Sequence, residues 1–160
     1  MPYTPILATL GYVLSPDGKR VLLVHRIARP DDAHFGKYNG LGGKLERDED
    51  VVAGMKRELR EEAGIEVVSL RLCGTVSWPG FGKQGEDWFG FLFVIDRFRG
   101  EVRTSNEEGT LEWVEIERVE SLPLWEGDRY FLPLVFALAA PPFHGVMPYC
   151  DGRPDRKSVV

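Results

Sequence analysis

The sequence predicts an α/β fold in which a mixed β-sheet is packed between helices. Runs of β-branched and aliphatic residues recur at strand length, and residues 51–63 and 125–140 have helical patterns. The chain has 160 residues, 43% of them apolar, and shows no internal repeat or linker. We therefore expect a single domain over residues 1–160 with one adequate hydrophobic core.

The N-terminal part of the chain is predicted to form a hairpin followed by a loop. Residues 6–15 and 20–26 are strand-like, and Pro16-Asp17-Gly18 supplies the turn between them. Residues 28–40 (ARPDDAHFGKYNG) are polar and rich in breakers, so a loop is predicted there. His34 in this loop has no partner at metal-ligand spacing, and we expect it to be structural or solvated.

A helix is predicted between the glycine pair Gly42-Gly43 and Gly64, because glycine adopts the left-handed conformation of a helix end at low cost. Asp48 is expected to cap its N-terminus. At about 100° per residue, one face of this helix is apolar. That face consists of Val51, Val52, Met55, Leu59 and Ala63.

Three carboxylates, Glu58, Glu61 and Glu62, lie at the margin of the apolar face. Exposed carboxylates at this spacing repel each other by a few tenths of a kcal/mol per pair, and partial burial strengthens the repulsion. A hard divalent cation, Mg²⁺ or Mn²⁺, would offset it, because these ions prefer oxygen ligands. For the helix taken alone, a solvated charged face is the alternative interpretation.

The second half of the chain adds more strands and a second helix. Residues 65–78 are predicted to form one or two strands, and residues 87–98 a strongly apolar one, with a glycine-rich connector at 80–86. A further strand is predicted at 111–114.

The run over 125–140 is predicted to be helical at least in its later part. Pro133 argues against one uninterrupted helix unless it lies in a first turn. A short strand is expected after this run, and the chain ends in a polar tail at about 151–160.

Composition excludes several classes of function. The chain has 25 acidic residues against 20 Lys and Arg, so the basic groove that a nucleic-acid polymer needs is not expected. Cys73 and Cys150 lack the spacing of a zinc site or a disulfide framework. No signal peptide or long apolar run is recognised, so we expect a cytoplasmic protein, monomer or homodimer, with no membrane partner.

The spacing around the helix is more specific than its composition. From Gly43 the chain reads glycine, five residues, Glu49, seven residues, Arg57-Glu58-Leu59, one residue, Glu61-Glu62, one residue, Gly64-Ile65. Over residues 43–65 this resembles, without a departure, the signature of the Nudix hydrolases, which cleave nucleoside diphosphates linked to another moiety. The resemblance implies a Nudix-type α/β/α sandwich with a mixed sheet.

Weaker motifs outside the signature resemble one branch of that family. They are KYNGLGGK, the Glu107-Glu108 pair, WEGDRYFLPL and PFHG. The branch hydrolyses oxidised purine nucleoside triphosphates and includes the 8-oxo-dGTP diphosphatases. The resemblance implies a small-molecule nucleotide substrate, with a nucleoside monophosphate and pyrophosphate as products.

The resemblance also assigns roles to residues of the signature. Glu58 or Glu61 would be the general base, and Arg57 would orient the carboxylates. Glu49 would help to orient them or bind an outer metal. Gly43 would let the backbone approach the metal or phosphate closely. The Mg²⁺ ligands, with Mn²⁺ as a substitute, would be Glu58, Glu61, Glu62, Glu108 from a distant loop, and Gly43. An exposed loop acid is the alternative interpretation of Glu108.

For the base, Asn39 matches a family position that binds the purine edge, Trp125 a stacking residue and Asp128 a carboxylate that reads the base. Lys44 is assigned to substrate binding. A turn residue and ordinary core packing are the alternatives for Asn39 and Trp125. Gly127 departs from the branch, which has two adjacent aspartates here. Narrower purine tolerance is therefore expected.

Two other functions remain open at this point. The substrate could be another nucleoside diphosphate derivative, such as a nucleotide sugar or a dinucleoside polyphosphate. In a different class, some Nudix folds are non-catalytic nucleotide-binding regulatory modules. Those are expected to have damaged signatures, whereas the signature here is intact.

Overall fold

The computed structural model describes residues 1–155 and 158–159. The strands are β1 Ile6–Leu14, β2 Arg20–His25, β3 Tyr38–Asn39, β4 Leu41–Lys44, β5 Glu66–Trp78, β6 Trp88–Arg99, β7 Thr110–Glu115, β8 Phe143–Val146, β9 Tyr149–Cys150, β10 Arg153–Pro154 and β11 Ser158–Val159. The helices are α1 Val51–Ala63, α2 Asp128–Phe136 and a 3-10 helix at Ile116–Ser121.

Nine strands form one mixed sheet in the order β11-β8-β5-β6-β1-β2-β3, with β4 also on β1 and β7 also on β2. β1 runs parallel to β6, and β5 runs parallel to β8, while the other pairs are antiparallel. β9 and β10 form a separate hairpin. The predicted mixed sheet is confirmed.

The sheet forks along β1, and the fork positions the glycine pair. Residues 8–11 of β1 pair with β4, whereas Val13 and Leu14 pair with β2. Gly42 lies so close to the Thr9 carbonyl that an added Cβ would overlap its oxygen. The glycine pair that precedes the helix is therefore part of a strand, and Tyr38–Asn39 of the predicted loop is a strand as well.

Helices α1 and α2 cover opposite faces of the sheet. Met55 and Leu59 of α1 pack in the cluster that contains Val13. Phe131 of α2 packs in the cluster that contains Tyr12. Because neighbouring residues of β1 point to opposite faces, this division makes the fold an α/β/α sandwich, as expected. None of the described helices is both long enough and apolar enough to cross a membrane.

The ends of α1 follow the predicted chemistry with one change. Gly64 closes the helix in the left-handed conformation at φ 73°. The N-cap is Asp50 rather than Asp48, and its carboxylate accepts a hydrogen bond of 2.8 Å from the amide of Ala53. On the predicted apolar face Met55, Leu59 and Ala63 are buried, but Val52 is exposed.

The later elements correct the sequence interpretation in two places. The run over 125–140 contains only α2, because residues 137–140 are not helical. Pro133 lies inside α2 beyond its first turn, and the helix continues three residues past it. The single strand β5 accommodates its length through register shifts against β6. Of the predicted polar tail, residues 156, 157 and 160 lie outside the described part.

Candidate active site

A cavity of about 320 Å³ brings together the residues that the sequence predicted for substrate binding. It opens between the fork of β1, the loop before β7 and the segment before α2. Its walls include Asn39, Gly43, Lys44, Glu108, Trp125 and Asp128, with Arg26, His34, Phe81 and Trp88 as additions. Segments that are distant in sequence therefore meet in one pocket.

The carboxylates of α1 approach this cavity through the glycine pair. The amide of Gly42 donates a 3.1 Å hydrogen bond to Oε2 of Glu62. A Cβ placed on Gly43 would lie 2.5 Å from Oε1 of Glu58. Only glycine allows β4 to lie this close to the helix carboxylates.

Burial shifts the pKa of three acidic groups near the glycine pair. Burial, together with the charges of Glu108 and Glu58, raises the pKa of Glu62 to about 9. Burial also raises the pKa of Glu58 and of Glu108. The Glu58 side chain is 12% exposed, whereas Glu61 is 59% exposed at the edge of the site.

Arg57 connects four parts of the signature. Its guanidinium holds Glu49 in a two-point pair at 2.6 and 2.8 Å, and this pairing lowers the pKa of Glu49 to about 2. The same side chain donates to Glu58 at 3.0 Å and to Glu61 at 3.2 Å. A further hydrogen bond of 3.2 Å to the Lys44 carbonyl ties α1 to β4.

No three acidic, histidine or cysteine side chains within residues 1–155 and 158–159 already lie in metal-ligand geometry. Glu58, Glu62 and Glu108 are instead engaged with Arg57, the Gly42 amide and Arg26 respectively. Their oxygens nevertheless match the donor chemistry of a hard cation. A bound cation would neutralise the mutual repulsion of the three carboxylates and so favour their ionised forms.

The cavity also has the features of a base pocket. Nδ2 of Asn39 is buried and has no hydrogen-bond partner among the described residues. Asp128 is 9% exposed, and its burial raises its pKa to about 7. Lys44 is exposed at the rim, with Nζ 5.6 Å from the centre of the Trp88 ring. Free polar groups beside aromatic walls suit a flat, polar-edged ligand.

A family model for the NUDIX domain matches residues 4–135. The chain belongs to the Nudix family. The resemblance drawn from residues 43–65 is thereby confirmed, and this Nudix hydrolase carries the signature on a β4–α1 unit.

Similar proteins and solved structures indicate which members of the Nudix family this chain resembles. The oxidized purine nucleoside triphosphate hydrolase of Mus musculus is 36% identical over 132 residues, covering 82% of this chain and 80% of that protein. Its counterpart from Danio rerio is 32% identical over 133 residues, covering 83% and 81%. The mMutator MutT protein of Bacillus halodurans has a TM-score of 0.83 at 27% identity, covering 96% of this chain and 97% of that one. The predicted resemblance to the oxidised-purine branch is confirmed.

Arg26 was not identified as a site residue from the sequence of this Nudix hydrolase. It pairs with Glu108 at 3.0 Å and with Asp32 at 2.8 Å, and its side chain lines the cavity. A single arginine at a strand end has no distinguishing pattern, so no sequence signal indicates it.

His34 was likewise missed, because its partner is 91 residues away in the sequence. The indole nitrogen of Trp125 donates to Nδ1 of His34 at 2.6 Å. Of the two sequence interpretations of His34, structural or solvated, this hydrogen bond supports the structural one.

The glycine that departs from the branch in this Nudix hydrolase is explained by its neighbours. The amide of Gly127 donates to the Tyr149 hydroxyl at 3.1 Å. A Cβ at residue 127 would overlap Sδ of Met147 and lie 2.5 Å from that hydroxyl. The space for a second aspartate side chain is thus occupied by residues near the C-terminus.

Proposed function

We propose that this Nudix hydrolase is a metal-dependent pyrophosphohydrolase of oxidised purine nucleoside triphosphates, such as 8-oxo-dGTP. One observation carries the proposal: Asn39, Trp125 and Asp128 line the same cavity as Glu108 and the glycine pair. Glu58 and Glu62 lie directly against that glycine pair. The names of the Mus musculus and Danio rerio relatives support the same substrate class.

The carboxylates of α1, together with Glu108, form a donor set that fits Mg²⁺, with Mn²⁺ as a substitute. Glu58, Glu61, Glu62 and Glu108 would supply carboxylate oxygens, and Gly43 would supply its carbonyl oxygen. The bound ions would neutralise phosphate oxygens and lower the pKa of the attacking water. The raised pKa of Glu62 supports this assignment, because a buried acid among like charges gains from a cation partner.

The protein's own groups then position the reaction. Arg57 holds both candidates for the general base, Glu58 and Glu61, within 3.2 Å. The base takes a proton from water as the water oxygen attacks phosphorus, and the anhydride bond between the first and second phosphates breaks. Arg26 and Lys44 line the same cavity and offer positive charge to the phosphates.

The hydrogen-bonding groups of Asn39 and Asp128 complement the edge of a guanine base. The unpartnered Nδ2 of Asn39 can donate to a ring carbonyl oxygen. The carboxyl group of Asp128 can accept from ring N–H groups, or donate when it is protonated. Trp125 supplies stacking area. Asp128 stands without a second acid, because residue 127 is glycine.

A substrate panel tests the proposal directly. Normal and oxidised nucleoside triphosphates, a nucleotide sugar and a dinucleoside polyphosphate would be incubated with the protein and Mg²⁺. We expect monophosphate and pyrophosphate from 8-oxo-dGTP at a higher kcat/KM than from dGTP. Release of inorganic phosphate, or preferential cleavage of a nucleotide sugar or dinucleoside polyphosphate, would replace the proposed substrate with another one.

A further inference from the structure

The indole nitrogen of Trp125 has a dedicated partner in this fold. Its distance to Nδ1 of His34 is 2.6 Å, and the two rings meet edge to face with centroids 5.2 Å apart. Trp88 provides an internal comparison, because it lines the same cavity and its buried indole nitrogen has no partner among the described residues. Packing among the aromatic side chains of this cavity therefore does not by itself provide a hydrogen-bond acceptor for an indole nitrogen.

The loop that carries His34 is anchored on its other side. The backbone amide of His34 donates to Oδ1 of Asp32 at 3.0 Å. The second carboxylate oxygen, Oδ2, accepts from Nε of Arg26 at 2.8 Å. The carbonyl of His34 accepts from the amide of Lys37 at 2.9 Å. These bonds fix the backbone from which the imidazole reaches Trp125.

The chemistry of the imidazole suits an acceptor role. Burial lowers the pKa of His34 to about 4, with further lowering by the Arg26 charge. The ring is therefore neutral at physiological pH, and a neutral ring bonded to the indole through Nδ1 carries its proton on Nε2. Both rings line the proposed nucleotide cavity.

Within the described part of the chain, the indole nitrogen of Trp125 has no second hydrogen-bond partner, and its other contacts are with rings and a lysine. Phe81 and Tyr149 meet its ring edge-on at 4.9 and 5.9 Å, and Nζ of Lys37 lies 4.8 Å from its centre. Such contacts are less directional than a hydrogen bond. A directional hydrogen bond restricts rotation and sliding of the indole.

We propose that His34 is a positioning residue, which fixes the indole of Trp125 in the orientation that stacks on the substrate base. The proposal rests on the proposed function, since it assumes that Trp125 stacks on a purine. Fixing the stacking surface before binding avoids the cost of ordering it during binding. His34 would thus act on base affinity and leave the phosphate chemistry unchanged.

Three variants separate the acceptor from the bulk of the ring. His34→Asn places an amide oxygen close to the position of Nδ1, whereas His34→Ala removes the acceptor. Phe35→Ala is the matched control, because Phe35 is an exposed neighbour on the same loop. The indole N–H resonance of Trp125, assigned with Trp125→Phe, would be recorded by ¹H–¹⁵N NMR for each protein.

We expect the Trp125 resonance to shift and its N–H to exchange faster in His34→Ala, and to stay near its original position in His34→Asn. Ordering one side chain during binding weakens affinity by about two- to tenfold. We therefore expect the Kd for 8-oxo-dGMP and the KM for 8-oxo-dGTP to rise by about that factor in His34→Ala. The kcat should stay within about twofold, and His34→Asn should restore most of the affinity.

The two proposals fail in different ways. An unchanged Trp125 resonance in His34→Ala, or affinity equally poor in His34→Asn and His34→Ala, would overturn the positioning role. A fall in kcat without a rise in Kd would also overturn it. If the unmodified protein binds 8-oxo-dGMP but hydrolyses no triphosphate, only the proposed hydrolysis fails, because the NMR and Kd measurements need no turnover.

Discussion

The Tyr149 hydroxyl accepts a hydrogen bond from the backbone amide of Gly127 at 3.1 Å, immediately before the first residue of α2. Tyr149 belongs to β9, so a strand near the C-terminus closes the wall that supports Trp125 and Asp128. The branch that this chain resembles has an aspartate at this position. The glycine here is consequently a packing requirement as well as the loss of an acid.

Substitution at residue 127 should therefore be costly in a way that depends on Tyr149. Gly127→Ala overpacks the site, and such changes typically cost about 1–3 kcal/mol of unfolding free energy. Because Tyr149→Phe removes one of the two atoms that would lie closer than 3 Å to the new Cβ, we expect Gly127→Ala to cost less in that background. A double-mutant cycle by urea unfolding measures the coupling. A coupling of zero would mean that Met147 alone sets the cost.

Much of α1 was predictable because its signals are local. Gly64 ends the helix in the conformation expected of it, and Leu59 lies on the buried face. The sequence predicted Asp48 as the N-cap, whereas the structure has Asp50, because both residues have the same capping chemistry. The choice between them depends on where β4 leaves the sheet, which is a tertiary feature.

The parts that sequence reasoning missed depend on contacts between distant segments. The interior position of Pro133 is tolerated because Phe131, Leu132 and Val135 are buried in the core, and this packing outweighs one lost backbone hydrogen bond. His34 and Arg26 have no periodic or motif signal. Their roles appear only when the loop folds back onto Trp125 and Glu108.

Activity should depend on a divalent metal and on the helix carboxylates. Glu61→Gln keeps size and the exposed position but removes a charge, so we expect kcat to fall by roughly 10²–10⁴-fold, the range for loss of a general base. EDTA should abolish turnover, and Mg²⁺ should restore it. Glu101→Gln, at an exposed site just after β6, is the control. Undiminished hydrolysis by Glu61→Gln would remove Glu61 from the mechanism.

Glu108 should move from Arg26 to a metal ion when nucleotide binds. A crystal structure with Mn²⁺ and a nonhydrolysable nucleotide should place its carboxylate within about 2.5 Å of an ion, or one water away. Glu107, its neighbour in the same loop, serves as an internal comparison, and we expect it to remain uncoordinated. If Glu108 still pairs only with Arg26 in that complex, its role is to position the arginine.

Stability should depend on pH through Asp128. Burial raises the folded-state pKa of Asp128 to about 7, whereas an unfolded aspartate has a pKa of about 3.9. Between these values the folded state binds more protons, so its unfolding free energy falls as pH rises through the window. Asp128→Asn stays neutral and should flatten that slope. Urea unfolding at pH 5 and pH 8 checks this, and equal slopes in both proteins would contradict it.

We expect Asp128 to contribute more to discrimination between bases than to the chemical step. Loss of a buried hydrogen-bond partner costs about 1–3 kcal/mol, or roughly five- to a hundredfold in affinity. Asp128→Asn should therefore lower kcat/KM for 8-oxo-dGTP by that factor while affecting a pyrimidine triphosphate much less. Trp125→Ala should weaken all bases, because each has a face on which to stack.

Comparison of the two variants separates reading of the base edge from stacking on its face. Since Gly127 contributes no second acid, Asp128 alone must provide the acceptor or donor on its side of the pocket. We expect the unmodified protein to tolerate fewer purines than relatives with two aspartates there. An equal loss for purines and pyrimidines in Asp128→Asn would make Asp128 a structural residue. The protein would then be a Nudix pyrophosphohydrolase of unspecified substrate.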